Sequence, residues 1–260
     1  MMTIEPSPQT RIDYERAATP YARHRGIHPG VLAELIAGAN VTARSRVLDV
    51  GCGTGNYARA LQQETGCRVS GIEPSTAMRA NAMDAANWDA IVPGSAESLP
   101  FPDSTFDLVM STDVIHHVGD RPAFFREALR VLTGSGRIAT ATDSPEDIAR
   151  RRPLSSHFPE TIEIELRRYP SIVVLQAEMA GAGFRVMPLG HAELEYDLVE
   201  IAAYRDRAFS SLHLIDEDAL QRGIERLDAD LASGPIPSLS LYTIVWGEKP
   251  RSHVQTHGGR

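Results

Sequence analysis

Arg46-Val47-Leu48-Asp49-Val50-Gly51-Cys52-Gly53-Thr54-Gly55-Asn56 decides the fold. An apolar run carrying one carboxylate leads into three glycines that alternate with small residues, and a helical pattern of spaced Ala and Leu starts at Tyr57. This predicts a buried strand, a tight glycine turn and a helix N-terminus. Glycines let the backbone approach a ligand where a Cβ would clash. Asp49, at the strand's end, can accept hydrogen bonds from a ligand donor. A dinucleotide fingerprint would read Gly-x-Gly-x-x-Gly, but here the third glycine comes one place early and Asn56 fills its slot. An acid ahead of the turn would also repel a pyrophosphate. The turn suits a nucleoside with a cationic or zwitterionic tail better than NAD.

Three further carboxylate-bearing stretches follow in order. Arg68-Val69-Ser70-Gly71-Ile72-Glu73 reads as a second strand ended by an acid, and Pro74 and Ser75 lead into a helix at 76–85. A carboxylate at that strand tip is placed to accept from ribose hydroxyls. Trp88 to Val92 reads as a third strand, followed by Gly94-Ser95-Ala96-Glu97-Ser98-Leu99-Pro100-Phe101. Phe106 to Ser111 reads as a fourth, running into Thr112-Asp113-Val114-Ile115-His116-His117. Ligands of open α/β sheets sit beyond the carboxyl ends of the strands, so this last segment faces the reacting groups. His116 and His117 are the evident proton acceptors there, with packing on a ligand as the other reading. Asp113 is either an active-site acid or a helix N-cap.

In these motifs the chain resembles class I S-adenosylmethionine (SAM) dependent methyltransferases, in their small-molecule, type-11-like branch. Val-Leu-Asp-Val-Gly-Cys-Gly-Thr-Gly is similar to that family's first motif, Glu-Pro-Ser-x-x-Met to its second, and Gly-x-Ala-Glu-x-Leu-Pro-Phe to its adenine loop. The resemblance implies a seven-stranded, doubly wound Rossmann-like α/β sheet, the last strand antiparallel, with helical lid insertions. It implies SAM as cofactor, with Asp49, Gly51, Gly53 and Gly55 holding the methionine half and Glu73 with Pro74 the ribose. Ser95, Ala96 and Glu97 would frame the adenine, and Ser111 would stand close by. An N-terminal segment would fold over the cofactor, with Tyr21 and Arg25 matching a Tyr-Ala-x-x-Arg-like stretch. Arg25 would then pair with the methionyl carboxylate, unless the segment is a solvated basic helix.

The expected organisation is a cofactor-covering segment at 1–28, a SAM-binding core at 29–142, the rest of the sheet with lid insertions at 143–250, and a flexible tail at 251–260. Within it, Gly134 should end a helix begun at Pro122. Strands are expected at 136–142, 184–189 and 239–246, and helices at 171–182, 198–210 and 216–232. The basic runs Arg150-Arg151-Arg152 and Arg167-Arg168 read as a solvated face or as an anionic-substrate mouth.

Composition bounds the function. With 42% apolar and 23% charged residues this is an ordinary globular chain, and a formal charge of −8 argues against a nucleic-acid surface. Two cysteines make no disulfide framework and point to a reducing cytoplasm. No signal-peptide core or membrane-spanning run is visible, and no His/Cys/Asp cluster has metal-ligand spacing. The expected partner is a small-molecule methyl acceptor, with no nucleic acid and no membrane, and the chain working as a monomer or homodimer. The absence of an Asp/Asn-Pro-Pro-Tyr/Phe motif after the fourth strand argues against methylation of DNA bases or glutamine. The rival readings are a fold-alike that binds SAM without transferring methyl, such as a pericyclic catalyst, sensor or accessory subunit, and an NAD-dependent oxidoreductase.

Overall fold

A computed structural model describes residue 18 and residues 21–83 and 86–251. Predictions for the first seventeen residues and for most of the 251–260 tail therefore lie outside the described residues.

Through Thr142 the elements alternate as the hydrophobic pattern predicts; the helices between 145 and 168 and the strand at 190–198 were not expected. They are α1 (Pro29–Ala39), β1 (Arg46–Val50), α2 (Asn56–Thr65), β2 (Arg68–Ile72), α3 (Thr76–Met83), β3 (Trp88–Val92), β4 (Phe106–Thr112), α4 (Arg121–Val131) and β5 (Leu132–Thr142). Then come α5 (Pro145–Arg150), α6 (Leu154–His157), α7 (Glu160–Arg168), α8 (Ile172–Ala182), β6 (Arg185–Val186), β7 (Gly190–Leu198), α9 (Ala202–Arg205), α10 (Glu217–Leu231) and β8 (Ile236–Glu248). The caps are those the residues call for. Ser171 and Asp216 accept from backbone amides at the starts of α8 and α10, and Gly183 ends α8 in the left-handed region.

The strands lie in the order β3-β2-β1-β4-β5-β8-β6, with β7 also on β8. β1 to β5 are parallel, and β8 is antiparallel to β5. This is the doubly wound Rossmann-like sheet with an antiparallel closing strand. The sheet has eight strands rather than seven because the sixth position is filled in two pieces. β6 pairs with the end of β8, and after a break at Met187-Pro188-Leu189 the chain resumes as β7, pairing with β8 from Ile244 back to Ile236.

Alternation along β1 dresses both faces. Leu48 and Val50 join Phe124, Phe125 and Ala128 of α4 and Leu175 and Met179 of α8 in one core. Val47 joins Val31 and Leu35 of α1 and Leu61 of α2 in the other. A third cluster stands apart from the sheet's cores. Leu154, Phe158, Tyr204, Leu212, Leu220, Ile224 and Leu227 pack with Ile236 at the start of β8 into a lid with its own interior. The lid is tight where α10 meets Phe158, since a Cβ on Gly223 would lie 2.1 Å from that ring.

Three boundaries differ from expectation. The helix expected at 198–210 shrinks to Ala202–Arg205, followed by a 3-10 turn at Ser210–His213, because its apolar residues serve the lid interior from several directions. α4 ends at Val131, ahead of Gly134, and the chain passes directly into β5. The strand expected at 184–189 breaks at Pro188, whose missing N–H cannot join a ladder.

Candidate functional site

The glycine turn is built by backbone geometry. Gly51, Gly53 and Gly55 all have positive φ, at 69°, 54° and 78°. Gly51 is fixed twice over, since a Cβ there would also lie 2.6 Å from Val114 Cγ2. Above Gly53 the nearest atom to such a Cβ is Tyr21 Cε1 at 3.9 Å, so the backbone faces open space beneath an aromatic ring. Gly55 is the N-cap of α2.

Two buried carboxylates stand at the tips of β1 and β2, with Asp49 4% and Glu73 7% exposed. Glu73 is braced by backbone, with Gly53 N donating to Oε2 at 3.0 Å and Ser75 N to Oε1 at 2.9 Å. These two amides orient the carboxylate. Burial, with the nearby charge of Glu73, pushes the Asp49 carboxyl up to about 7.

Above the turn lies the N-terminal segment, helical at 21–24. Asn56 Nδ2 donates to Arg25 O at 2.7 Å. The Arg25 guanidinium stacks over Tyr21 and Phe209, 5.7 and 5.0 Å from their centroids, and Nη2 donates to Asp113 Oδ2 at 2.9 Å. Tyr242 OH donates to the same oxygen at 2.7 Å. Asp113 has φ 57°, so the chain turns sharply as it leaves β4. Asp113 caps no helix; it latches Arg25.

A cavity with about 1190 Å³ of atom-free space, counted to its mouth, joins this cradle to the lid. Gly51, Gly53, Glu73, Pro74, Tyr21 and Arg25 line one end. Thr112, Asp113, His116 and His117, at and just after the end of β4, line it too, as do Asp143, Arg151, Tyr169, Tyr204, Phe209 and Ser211 from the chain beyond β5. A smaller cavity, about 450 Å³ on the same measure, shares Tyr21, Arg25, Gly51, Gly53, Thr112, Asp113 and Tyr242 with the first and reaches Asp49.

Other predicted residues lie elsewhere. Gly55, Ser95, Ala96, Glu97 and Ser111 line neither cavity. Ser111 is buried in the sheet, where its hydroxyl donates to Thr140 on β5 at 3.2 Å, so it does not face a ligand. Glu97 Oε1 accepts from Gly119 N at 3.0 Å and Asp120 N at 3.4 Å, turning that oxygen toward the start of α4. The loop that carries it is stapled by Arg130, which donates to Leu99 O and Phe101 O, each at 2.8 Å.

The histidines behave differently from free bases. His116 stacks on Tyr169 with centroids 4.0 Å apart, and His117 lies 4.0 Å from His116. Burial pushes the His116 imidazole well below its usual range, and burial with the Arg168 charge lowers His117 to about 4. Both rings are neutral at pH 7.

Sequence reasoning missed an ion triad at the lid end. Arg151 Nη1 donates to Asp143 Oδ2 at 2.7 Å, and its Nη2 donates to Glu165. All three side chains are nearly buried. The run Arg150-Arg151-Arg152 thus divides, Arg150 reaching Glu193 at the surface while Arg151 turns inward. The signal available was Asp143, the first acid after β5, which stands at the carboxyl edge where ligands collect.

Comparison with known proteins places this geometry. Residues 48–140 match a family model described as a methyltransferase domain. A malonyl-[acyl-carrier protein] O-methyltransferase of Erwinia billingiae is 30% identical over 135 residues, 52% of this chain and 53% of that protein. The 27-O-demethylrifamycin SV methyltransferase of Amycolatopsis mediterranei is 37% identical over 103 residues, 37% of this chain and 38% of its own length. The chain thus spans about half or less of the length of these relatives. A crystal structure from Anabaena variabilis, described as a methyltransferase from an antibiotic biosynthesis pathway, superposes with a TM-score of 0.65 at 26% identity, covering 86% of this chain and 98% of that one. This sheet order, this glycine turn and that match make residues 48–140 a methyltransferase domain, similar to those of the class I SAM-dependent enzymes.

Proposed function

We propose that this protein transfers the methyl group of SAM to a small-molecule acceptor, giving S-adenosylhomocysteine. The observation that carries the reading is the continuity of one cavity from the glycine turn and Glu73 to the lid. The residues present suit the cofactor. Glu73 offers a braced acceptor for ribose hydroxyls, Asp49 an acceptor for the methionyl ammonium, and Gly53 a bare backbone where a side chain would intrude.

SAM supplies, when bound, a methyl group already activated on a sulfonium sulfur. What this chain contributes is orientation and exclusion of water. Gly51 and Gly53 set the floor, Tyr21 and Arg25 the roof, and the Arg25–Asp113 pair closes the roof onto the end of β4. In this scheme the described part of the N-terminal segment, from Tyr21, covers the cofactor, 29–142 hold it, and 143–250 shape the acceptor end. Arg25, engaged by Asp113, holds the roof and also lends positive charge for the methionyl carboxylate. Glu97 acts through its loop, holding Ser95 and Ala96 at the adenine end. The neutral, weakly basic His116 and His117 contact the acceptor and do not hold its proton. Among the described residues no helix is long and apolar enough to cross a membrane, and Cys52 and Cys67 are free and buried. Both fit a cytoplasmic enzyme.

Calorimetry with SAM, S-adenosylhomocysteine and NADH tests the cofactor assignment. Binding of the first two and not the third is expected, and the reverse would end the proposal. Release of S-adenosylhomocysteine only when a cell extract supplies an acceptor separates transfer from mere binding.

A further inference from the structure

The two basic runs of the sequence come apart in the fold. Arg150 reaches Glu193 at 3.6 Å and Arg167 reaches Glu163 at 3.0 Å, both pairs on the surface. Arg151 turns inward, where Asp143 and Glu165 take up its two terminal nitrogens. Arg152 and Arg168 remain, and among the described residues neither forms an ion pair.

Arg152 lines the main cavity together with Leu239 of β8. Its backbone is pinned to that residue, its N–H donating to Leu239 O at 3.1 Å and its carbonyl accepting from Leu239 N at 2.9 Å. The residue is otherwise exposed. A guanidinium stays charged at any working pH, so the cavity has a permanent cation on a fixed stretch of backbone. The other arginines lining the cavity are matched, Arg25 by Asp113 and Arg151 by its two acids.

The surroundings reinforce that positive charge within a chain of formal charge −8. Burial is the first cause of the low basicity of both cavity histidines. For His117 the Arg168 charge comes next; for His116 it is His117, then Arg168 and Arg151. No carboxylate among the described residues offsets these cations at either ring. Asp143 and Glu165 do not reverse the sign. Each gives an oxygen to Arg151, and burial pushes the Asp143 carboxyl up to about 7. Asp143 is thus partly protonated at neutral pH, and the triad falls short of one full negative charge, which Arg152 and Arg168 outweigh. Glu73 and Asp49 belong to the glycine turn and, under the methyl-transfer reading, face the cofactor.

Resting on that reading, we propose that the acceptor is an organic anion whose carboxylate, sulfate or phosphate is bound by the Arg152 guanidinium, and that Arg152 sets the preference for it over uncharged or cationic compounds. The guanidinium fork offers paired N–H donors that fit two oxygens of such a group. The anion serves as a handle: it holds the acceptor in the cavity and is asked to form no bond to the methyl carbon.

The test uses the full chain, SAM carrying a CD3 group, and a cell extract freed of macromolecules and divided on a quaternary-ammonium resin. Labelled product should arise from the retained, anionic fraction. Product from the unretained fraction alone overturns the proposal and leaves methyl transfer standing. No labelled product from either fraction removes the methyl-transfer reading with it. With the retained acceptor, Arg152→Gln should raise KM about tenfold or more, while kcat, Tm and the dissociation constant of S-adenosylhomocysteine hold. Arg152→Lys, which keeps the charge and loses the fork, should stay within about threefold of the parent. Raising salt from about 0.05 to 0.5 M should raise the parent's KM and leave that of Arg152→Gln nearly flat. An unchanged KM in Arg152→Gln means the arginine is merely solvated and refutes the proposal. Equal losses in the Gln and Lys variants, or a lowered Tm in both, mean that the side chain acts by packing and refute it too.

Discussion

Asp49→Asn tests how the cofactor end of the cavity is tuned. In the folded protein the Asp49 carboxyl titrates at about 7, against 3.8 for the ordinary group, because it is buried beside Glu73. Below pH 3.8 it is protonated in both states and costs nothing. Between 3.8 and 7 the folded chain binds more protons than the unfolded one, so stability falls as pH rises. Above 7 the full cost is present. About three pH units at 1.36 kcal/mol each give roughly 4 kcal/mol. Asparagine has no such titration. The stability of Asp49→Asn relative to the parent should therefore climb between pH 4 and 7, by about that amount, and then level. Urea denaturation of both proteins at half-unit pH intervals reads it. Two parallel curves would refute the reasoning, because they would mean that Asp49 ionises normally. The same linkage bears on binding. An ammonium beside Asp49 favours its charged form, so binding of SAM at pH 6 should release a proton. Calorimetry in buffers of different ionisation enthalpy measures that release, which should vanish near pH 8.5.

Glu73→Ala should weaken SAM binding by about 1–3 kcal/mol through lost charge-assisted hydrogen bonds, and an unchanged dissociation constant would remove the ribose assignment. Arg151→Ala leaves Asp143 and Glu165 buried without their cation. It should cost about 3–5 kcal/mol in denaturant unfolding, and a cost under 1 kcal/mol would show that the triad is solvated. Gly223→Ala drives a methyl into the Phe158 ring. A loss of about 1–3 kcal/mol with SAM affinity unchanged is expected, and an equal loss of SAM affinity would mean the lid and cradle do not separate energetically.

The glycine turn and the acids at the strand tips were legible because their signals are local. Gly51 and Gly53 need positive φ, and Asp49 and Glu73 stand at strand tips set by nearby runs of Val and Ile. Ser111 misses both cavities by one residue of strand parity. It pairs with Thr140 inside the sheet, and the ligand-facing wall begins at Thr112. Glu97 matched a familiar loop, yet its carboxylate direction depends on Gly119, twenty-two residues away. The lid was least legible, since its interior joins Leu154, Tyr204, Leu220 and Ile236, which no short-range periodicity connects. Arg151 looked like its neighbours Arg150 and Arg152 until the fold brought Asp143 and Glu165 to it.

β8 belongs to two bodies at once. Its later half is zipped to β5, its earlier half to β7, and its first residue, Ile236, sits in the lid interior. Arg152 is tied to Leu239 of the same strand by a pair of backbone hydrogen bonds. Swinging the lid away as a block would tear a continuous ladder, so the rear wall of the chamber is stiff. Compliance is left to parts fastened by side chains alone, where His24 meets Asp206 and Arg25 meets Asp113. Any give the chamber has among the described residues is therefore to be sought on that flank, beneath the N-terminal turn, with the far side as the fixed anvil.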